Sequence, residues 1–159
     1  MMTNRPDAAR DFLRSLRPLR QERKHSERRL EQLYAEAARI TATYTPLTGG
    51  VGDQHRDALL IELADRAAEL RELIKRQWSQ EHLVEEFIDE IPDERHRTIL
   101  RLRYVDCLRW PKVLEEMERA GLYYDERQMY RLHGSALQAA RGLYPEFELK
   151  HSEMKEETE

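Results

Sequence analysis

At 159 residues the chain is long enough for one domain or two small ones. It is 36% charged and 40% hydrophobic, with no apolar run near the ~20 residues that a bilayer span needs, which excludes a membrane-spanning helix and suits long amphipathic helices. The net charge of -4 speaks against a nucleic-acid partner, yet its distribution is uneven: residues 1–42 hold ten Lys/Arg against six Asp/Glu and residues 92–142 ten against eight, while residues 43–91 hold five against eleven and residues 143–159 two against six.

Pro6-Asp7 marks a helix start, followed by Phe12, Leu13, Leu16 and Leu19 at helical spacing, with a break predicted near Arg17-Pro18. From Leu19 to about Thr43, one apolar stripe (Leu30, Leu33, Tyr34, Ala37, Ile40) runs along a charged helix. Residues 45–52 gather Pro, Thr and three Gly, so a loop is predicted there, with Asp53 capping the next helix. In that helix Leu59, Leu60, Leu63, Ala67, Leu70, Ile74, Trp78, Leu83, Val84, Phe87 and Ile91 keep a three-and-four spacing without an interrupting Pro or Gly. Two such stripes predict a long antiparallel helical hairpin, a coiled-coil-like stem over residues 1–91, or the same faces buried across a homodimer interface. Trp78 is expected to pack inside this stem.

Pro92 ends the long helix and opens the next, since proline is tolerated in a first turn and the acidic Asp93-Glu94 favours the positive helix end. Three helical patterns follow within residues 92–145, over 98–105, 111–119 and 126–143. The middle one carries Pro111 in its first turn and stops at Gly121, a residue suited to the left-handed conformation. Asp125 and Gln128 form a capping box for the last. Short helix, glycine-bearing turn and capped longer helix is the pattern of a helix-turn-helix. On the last helix Met129, Leu132, Ala136, Leu137 and Ala140 make one stripe, which turns Arg127, Gln128, Tyr130, Arg131 and Gly134 outward as candidate DNA-binding residues. Arg and Gln can read base edges bidentately, Tyr and Arg can bind phosphates, and Gly134 permits close backbone approach. By composition alone such a face is also what a plain solvated surface looks like. Residues 146–159 are expected to form a disordered acidic tail.

The run Arg97-Thr98-Ile99-Leu100-Arg101-Leu102-Arg103-Tyr104-Val105-Asp106, then Leu108-Arg109-Trp110, then Glu126-Arg127-Gln128-Met129-Tyr130-Arg131-Leu132-His133-Gly134-Ser135-Ala136-Leu137, resembles bacterial sigma factor region 4. More closely, it resembles a family of prophage proteins of Gram-positive bacteria with a region-4-like C-terminus, near the ArpU- and RinA-type phage regulators. The resemblance extends upstream into the stem, to Ile40-Thr41. It implies that the last helix enters the major groove of a promoter element with Arg127, Gln128, Tyr130 and Arg131 at reading positions, and that His133 lies near a phosphate. The chain departs from the region-4 pattern at Pro111-Lys112-Val113-Leu114, which replaces an acidic and Ile-Ala stretch, and at Glu115-Glu116-Met117-Glu118, which makes the supporting helix acidic.

Trp110 is expected to anchor the core beneath this region. Six histidines without zinc-ligand spacing and a single cysteine, Cys107, predict no metal site, and no glycine-rich phosphate loop or nucleophile elbow is present, so no cofactor, catalytic residue or enzyme activity is expected. The lone cysteine and the lack of a basic-then-apolar leader pattern in residues 1–6 predict a cytoplasmic protein. The sequence is thus expected to fold as an all-α protein that binds double-stranded DNA as a phage or prophage transcriptional regulator, with the stem for dimerisation or contact with RNA polymerase. The competing expectation is an assembly or interaction module. It would be either a small-terminase-like DNA-recognition subunit or a phage protein that binds and blocks a host complex.

Overall fold

The computed structural model describes residues 7–43 and 51–156, and every regular element among them is helical. The helices are α1 (Ala8–Arg14), α2 (Leu16–Ala42), α3 (Val51–Asp89), α4 (Glu94–Leu100), α5 (Trp110–Arg119) and α6 (Glu126–Glu156), with a π-helical turn, Arg101–Val105, continuing α4. No helix among the described residues is long and apolar enough to cross a membrane. By its contacts the chain divides into two compact units. One is Leu19–Gln80; the other joins the residues up to Pro18 with those from Glu81 onward. The boundary expected at Pro92 therefore falls inside a unit, because the apolar residues on both sides of it share one core.

Local chemistry explains most helix ends. Asp7 caps α1 by accepting the Arg10 N–H at 3.1 Å. The predicted break near Arg17-Pro18 sits slightly earlier, at Ser15, whose N–H reaches the Asp11 and Phe12 carbonyls and whose hydroxyl donates to Phe12. Restarting at Leu16 puts Pro18 in the first turn of α2, where a backbone N–H would lack an intrahelical acceptor anyway. Asp53 is not a cap: α3 already starts at Val51, and Asp53 contributes its charge within the first turn. Of the predicted loop, residues 45–50 lie outside the described residues, whereas Val51 and Gly52 are helical. At α4, Asp93 accepts the Arg95 N–H at 2.9 Å and pairs with the Arg95 guanidinium at 3.0 Å. These bonds, the Arg95 side chain foremost, pull the Asp93 carboxyl down to about 2.

Within the Leu19–Gln80 unit, the Arg23 guanidinium lies 3.8 Å over the Trp78 ring, and Arg71 donates to the Tyr34 hydroxyl. Early α2 meets late α3 and later α2 meets earlier α3, so the two helices run antiparallel here. Leu63 and Ala67 are buried on the α3 side. Trp78, expected inside, keeps 52% of its surface exposed. Arg23 accounts for this: its flat cation covers one ring face and leaves the rest to solvent.

The larger unit holds the main core. Leu13 and Leu16 from the N-terminal segment, Val84, Phe87, Ile88 and Ile91 from late α3, Ile99 and Leu100 from α4, Val113 and Met117 from α5, and Met129, Ala136 and Ala140 from α6 form one buried cluster. At one end Phe12, Phe87, Tyr144 and Phe147 pack ring on ring, with centroids 5.0 to 5.9 Å apart. Arg141 adds a two-pronged bond to the Asp7 carboxylate at 3.1 and 2.6 Å, holding that carboxyl below its usual range. This packing corrects the expected tail. Residues 146–156 are helical because α6 runs on through Pro145 and buries Phe147 to 4% exposure. Pro145 has no N–H to offer the Arg141 carbonyl, a loss of a few kcal/mol that the burial of Tyr144 and Phe147 offsets.

Two outcomes are expected. A fragment beginning at Pro92 leaves Tyr144 and Phe147 without Phe12 and Phe87, and its circular dichroism should lack a cooperative melt; a sharp melt would show that residues 92–159 are self-sufficient. Gly121, at φ +83°, should resist substitution: Gly121→Ala should lower unfolding free energy by about 1 to 2 kcal/mol in chemical denaturation, from left-handed backbone strain alone, since an added Cβ meets no atom within 4 Å.

Candidate nucleic-acid interface

The residues predicted to face DNA all lie in the first third of α6, and local bonds fix where that helix begins. Upstream, α5 ends in a left-handed cap: Gly121 donates to the Glu118 carbonyl at 3.0 Å and Leu122 to that of Met117 at 2.9 Å. After the short linker, Asp125 Oδ1 accepts the Gln128 N–H at 2.7 Å and Gln128 Oε1 accepts the Asp125 N–H at 3.0 Å, the reciprocal pair of a capping box. The phase of α6 follows from what it buries. Met129, Leu132, Ala136, Leu137 and Ala140 point into the core, as their spacing predicts.

That phase leaves Arg127, Gln128, Tyr130, Arg131 and Gly134 exposed. Arg127, Tyr130 and Arg131 line one open groove at the start of α6, together with Asp125 and Glu126. Neither arginine makes an ion pair among the described residues, so both guanidinium forks are free to bind an acceptor. Tyr130 is oriented from below, its ring edge-on to Trp110 at 5.2 Å. Gln128 differs from the rest. Reading a base bidentately needs both its amide oxygen and its nitrogen, and the oxygen is held by the cap. Capping and reading therefore compete at this side chain, a conflict that spacing alone conceals.

The acidic supporting helix is partly neutralised in place. Lys112 reaches Glu115 at 3.1 Å and Glu116 at 3.7 Å, and Arg119 reaches the same two carboxylates at 3.2 and 3.0 Å. Those are exposed pairs, worth little to stability, but they lower the negative field beside α6.

His133 does not face outward. It is 8% exposed, its Nε2 shares a 3.0 Å hydrogen bond with the Tyr104 hydroxyl, and its ring stacks on Tyr104 and meets Trp110 edge-on at 4.6 Å. It therefore does not stand on the outward face with Arg127, Tyr130 and Arg131. The signal was present in the sequence: position 133 continues the 129, 132, 136, 137 stripe. Burial, then the charges of Arg10, Arg103 and Arg14, push the imidazole down to about 4, so it is neutral at physiological pH. Trp110, expected in the core, is half-buried against it, with the Arg103 guanidinium 4.6 Å over its ring.

The π-turn behind Trp110 supplies these neighbours. Asp106 N–H reaches back to the Arg101 carbonyl at 2.9 Å, Cys107 takes a positive φ of 55°, and Arg103 braces the bend by donating to the Leu108 carbonyl at 2.8 Å. Sequence periodicity predicted only a plain helix here. Among the described residues, no group of three or more His, Cys, Asp or Glu could hold a metal ion.

No protein-family model matches the chain, and no curated protein or solved structure is significantly similar to it.

The buried imidazole predicts a pH dependence. A histidine whose folded pKa is depressed contributes stability that is complete above its unfolded value of 6.5 and is lost as pH falls from there toward about 4. Urea midpoints should therefore drop between pH 7 and pH 4.5. His133→Gln should flatten that slope, and an unchanged slope would place the titration elsewhere.

Proposed function

We propose that this chain is a sequence-specific DNA-binding transcriptional regulator of phage or prophage origin. In this reading α4, α5 and α6 form a helix-turn-helix whose third helix enters the major groove. The antiparallel α2–α3 pair is a hairpin stem for dimerisation or for contact with RNA polymerase. The observation that carries the reading is the start of α6: a capped helix, its opposite face buried, that presents two unpaired arginines and an oriented tyrosine to solvent. Arg127 and Arg131 read base edges or phosphates, and Tyr130 binds the backbone. Gln128 contributes its amide N–H, since its oxygen stays with the cap. The mechanism is occupancy and recruitment, without chemistry.

Fluorescence anisotropy with duplex fragments, one of them from upstream of the chain's own gene, tests this at two salt concentrations. Tight binding to one fragment that weakens with salt is expected. Arg131→Ala should cost on the order of 1 to 3 kcal/mol on that fragment and relax discrimination. Gly134→Ala separates roles: it should raise stability by roughly 0.5 to 1 kcal/mol as a mid-helix glycine replacement while weakening binding, if DNA approaches the backbone there. No binding at low salt would sink the reading.

The long α2–α3 pair and the net charge of -4 favour a second reading, an assembly or interaction module that marks phage DNA for packaging or blocks a host complex. A ring of many subunits in native mass measurement would support packaging. A monomer or dimer without salt-dependent DNA binding would support the blocking role.

A further inference from the structure

On the larger unit, next to the groove at the start of α6, lies a half-open cleft of about 190 Å³. Arg10 and Arg14 on α1 and Arg17 at the start of α2 are at positions 10, 14 and 17, so they share one helical face across the Ser15 break, and that face lines the cleft. Arg103 from the π-turn also lines it, and Trp110 and His133 form part of the wall. Four guanidinium groups thus line one small volume, with no carboxylate among its described lining residues.

The cations are not explained by internal pairing. Arg10, Arg14 and Arg17 make no ion pair among the described residues. Arg103 donates only to the neutral Leu108 carbonyl and stacks on Trp110. Asp7, whose carboxylate feels the charge of Arg10, is already gripped through both oxygens by Arg141. The Arg10 Nε is buried and has no hydrogen-bond acceptor. A buried donor without a partner and unpaired like charges both cost folding free energy, and an anion in the cleft removes both costs at once. His133 in the cleft lining is lowered first by its burial and then by the charges of Arg10, Arg103 and Arg14, as fits a positive cleft.

We propose that this cleft is a phosphate-binding site, filled by a phosphate group presented to Arg10, Arg14, Arg17 and Arg103. Guanidinium forks match the oxygens of a phosphate, and several of them together suit a multiply charged anion better than a single carboxylate. With Arg103 covering a face of Trp110, the site recognises the charged group and does not depend on stacking a base. The group comes either from a nucleic-acid backbone or from a free phosphorylated molecule, and the assignment does not rest on the reader role of α6.

Trp110 gives a direct readout. In a Trp78→Phe protein it is the sole tryptophan, and its emission can be followed during titration with inorganic phosphate, with chloride at equal ionic strength, and with a short DNA duplex. A saturable change is expected with phosphate, with duplex, or with both, and its midpoint should move at least ten-fold when Arg14→Gln and Arg17→Gln are added. Both positions are exposed, so the fold should survive; circular dichroism checks this, and Arg10→Gln serves as the second variant. Saturation by phosphate assigns a free phosphorylated ligand, whereas a response to duplex alone assigns a backbone phosphate. Silence to both, an equal response to chloride, or a response that keeps its midpoint without Arg14 and Arg17 overturns the site. In the last case a duplex signal has reached Trp110 through Tyr130. Anisotropy on a labelled duplex run alongside keeps the two readings separate. Duplex binding that needs Arg131 while the cleft stays silent removes only the cleft, and a phosphate response without duplex binding removes only the reader.

Discussion

The meeting of Phe12, Phe87, Tyr144 and Phe147 is the contact on which the larger unit depends. Those rings come from α1, late α3 and late α6 and join all three at one end of the core. It sets where α6 lies against the N-terminal segment, and through α6 it sets which residues of that helix face water. The Asp7–Arg141 pair locks the same junction from its rim and ties the cap of α1 to the third turn beyond the buried His133. Aromatic rings supply the area and the preferred edge-on geometries, while the ion pair, half exposed, contributes direction more than energy.

Much of the local architecture was legible before any coordinates. The caps at Asp7 and Asp125, proline in the first turn of α5, the left-handed Gly121 and the buried stripe of α6 all follow from rules that act over four or five residues. What escaped detection is what those rules do not span. Phe147 sits in a stretch that reads as polar tail, and only the partners at Phe12 and Phe87 make it core. The N-terminal segment reads as the first part of a stem because its apolar spacing is helical, and spacing does not say which surface a helix will choose. Arg101–Val105 reads as ordinary helix because a π-turn adds one residue to a turn without altering its composition.

The candidate interface divides in the same way. Exposure of Arg127, Gln128, Tyr130, Arg131 and Gly134 follows from the phase of α6 and was legible. The capping box of Asp125 and Gln128 was legible too, but its competition with base reading at Gln128, like the burial of His133, follows only once the helix start and the stripe are taken together. Arg10, Arg14, Arg17 and Arg103 were visible only as excess basic charge in two separate segments. Their convergence requires α1 to fold onto the π-turn, a long-range event that leaves no trace in either segment alone.

That junction also orders events in time. Asp7 and Arg141 are separated by 134 positions, so the larger unit closes a long loop before its core is complete. During synthesis the apolar side chains of α1 emerge more than a hundred residues before α6 and wait for it. Until then Phe12 lacks Tyr144 and Phe147, and the core around Leu13 and Leu16 is incomplete. Folding of this unit is therefore a late, nearly all-at-once step, and the growing chain depends on its charged surface to stay dispersed in the interval.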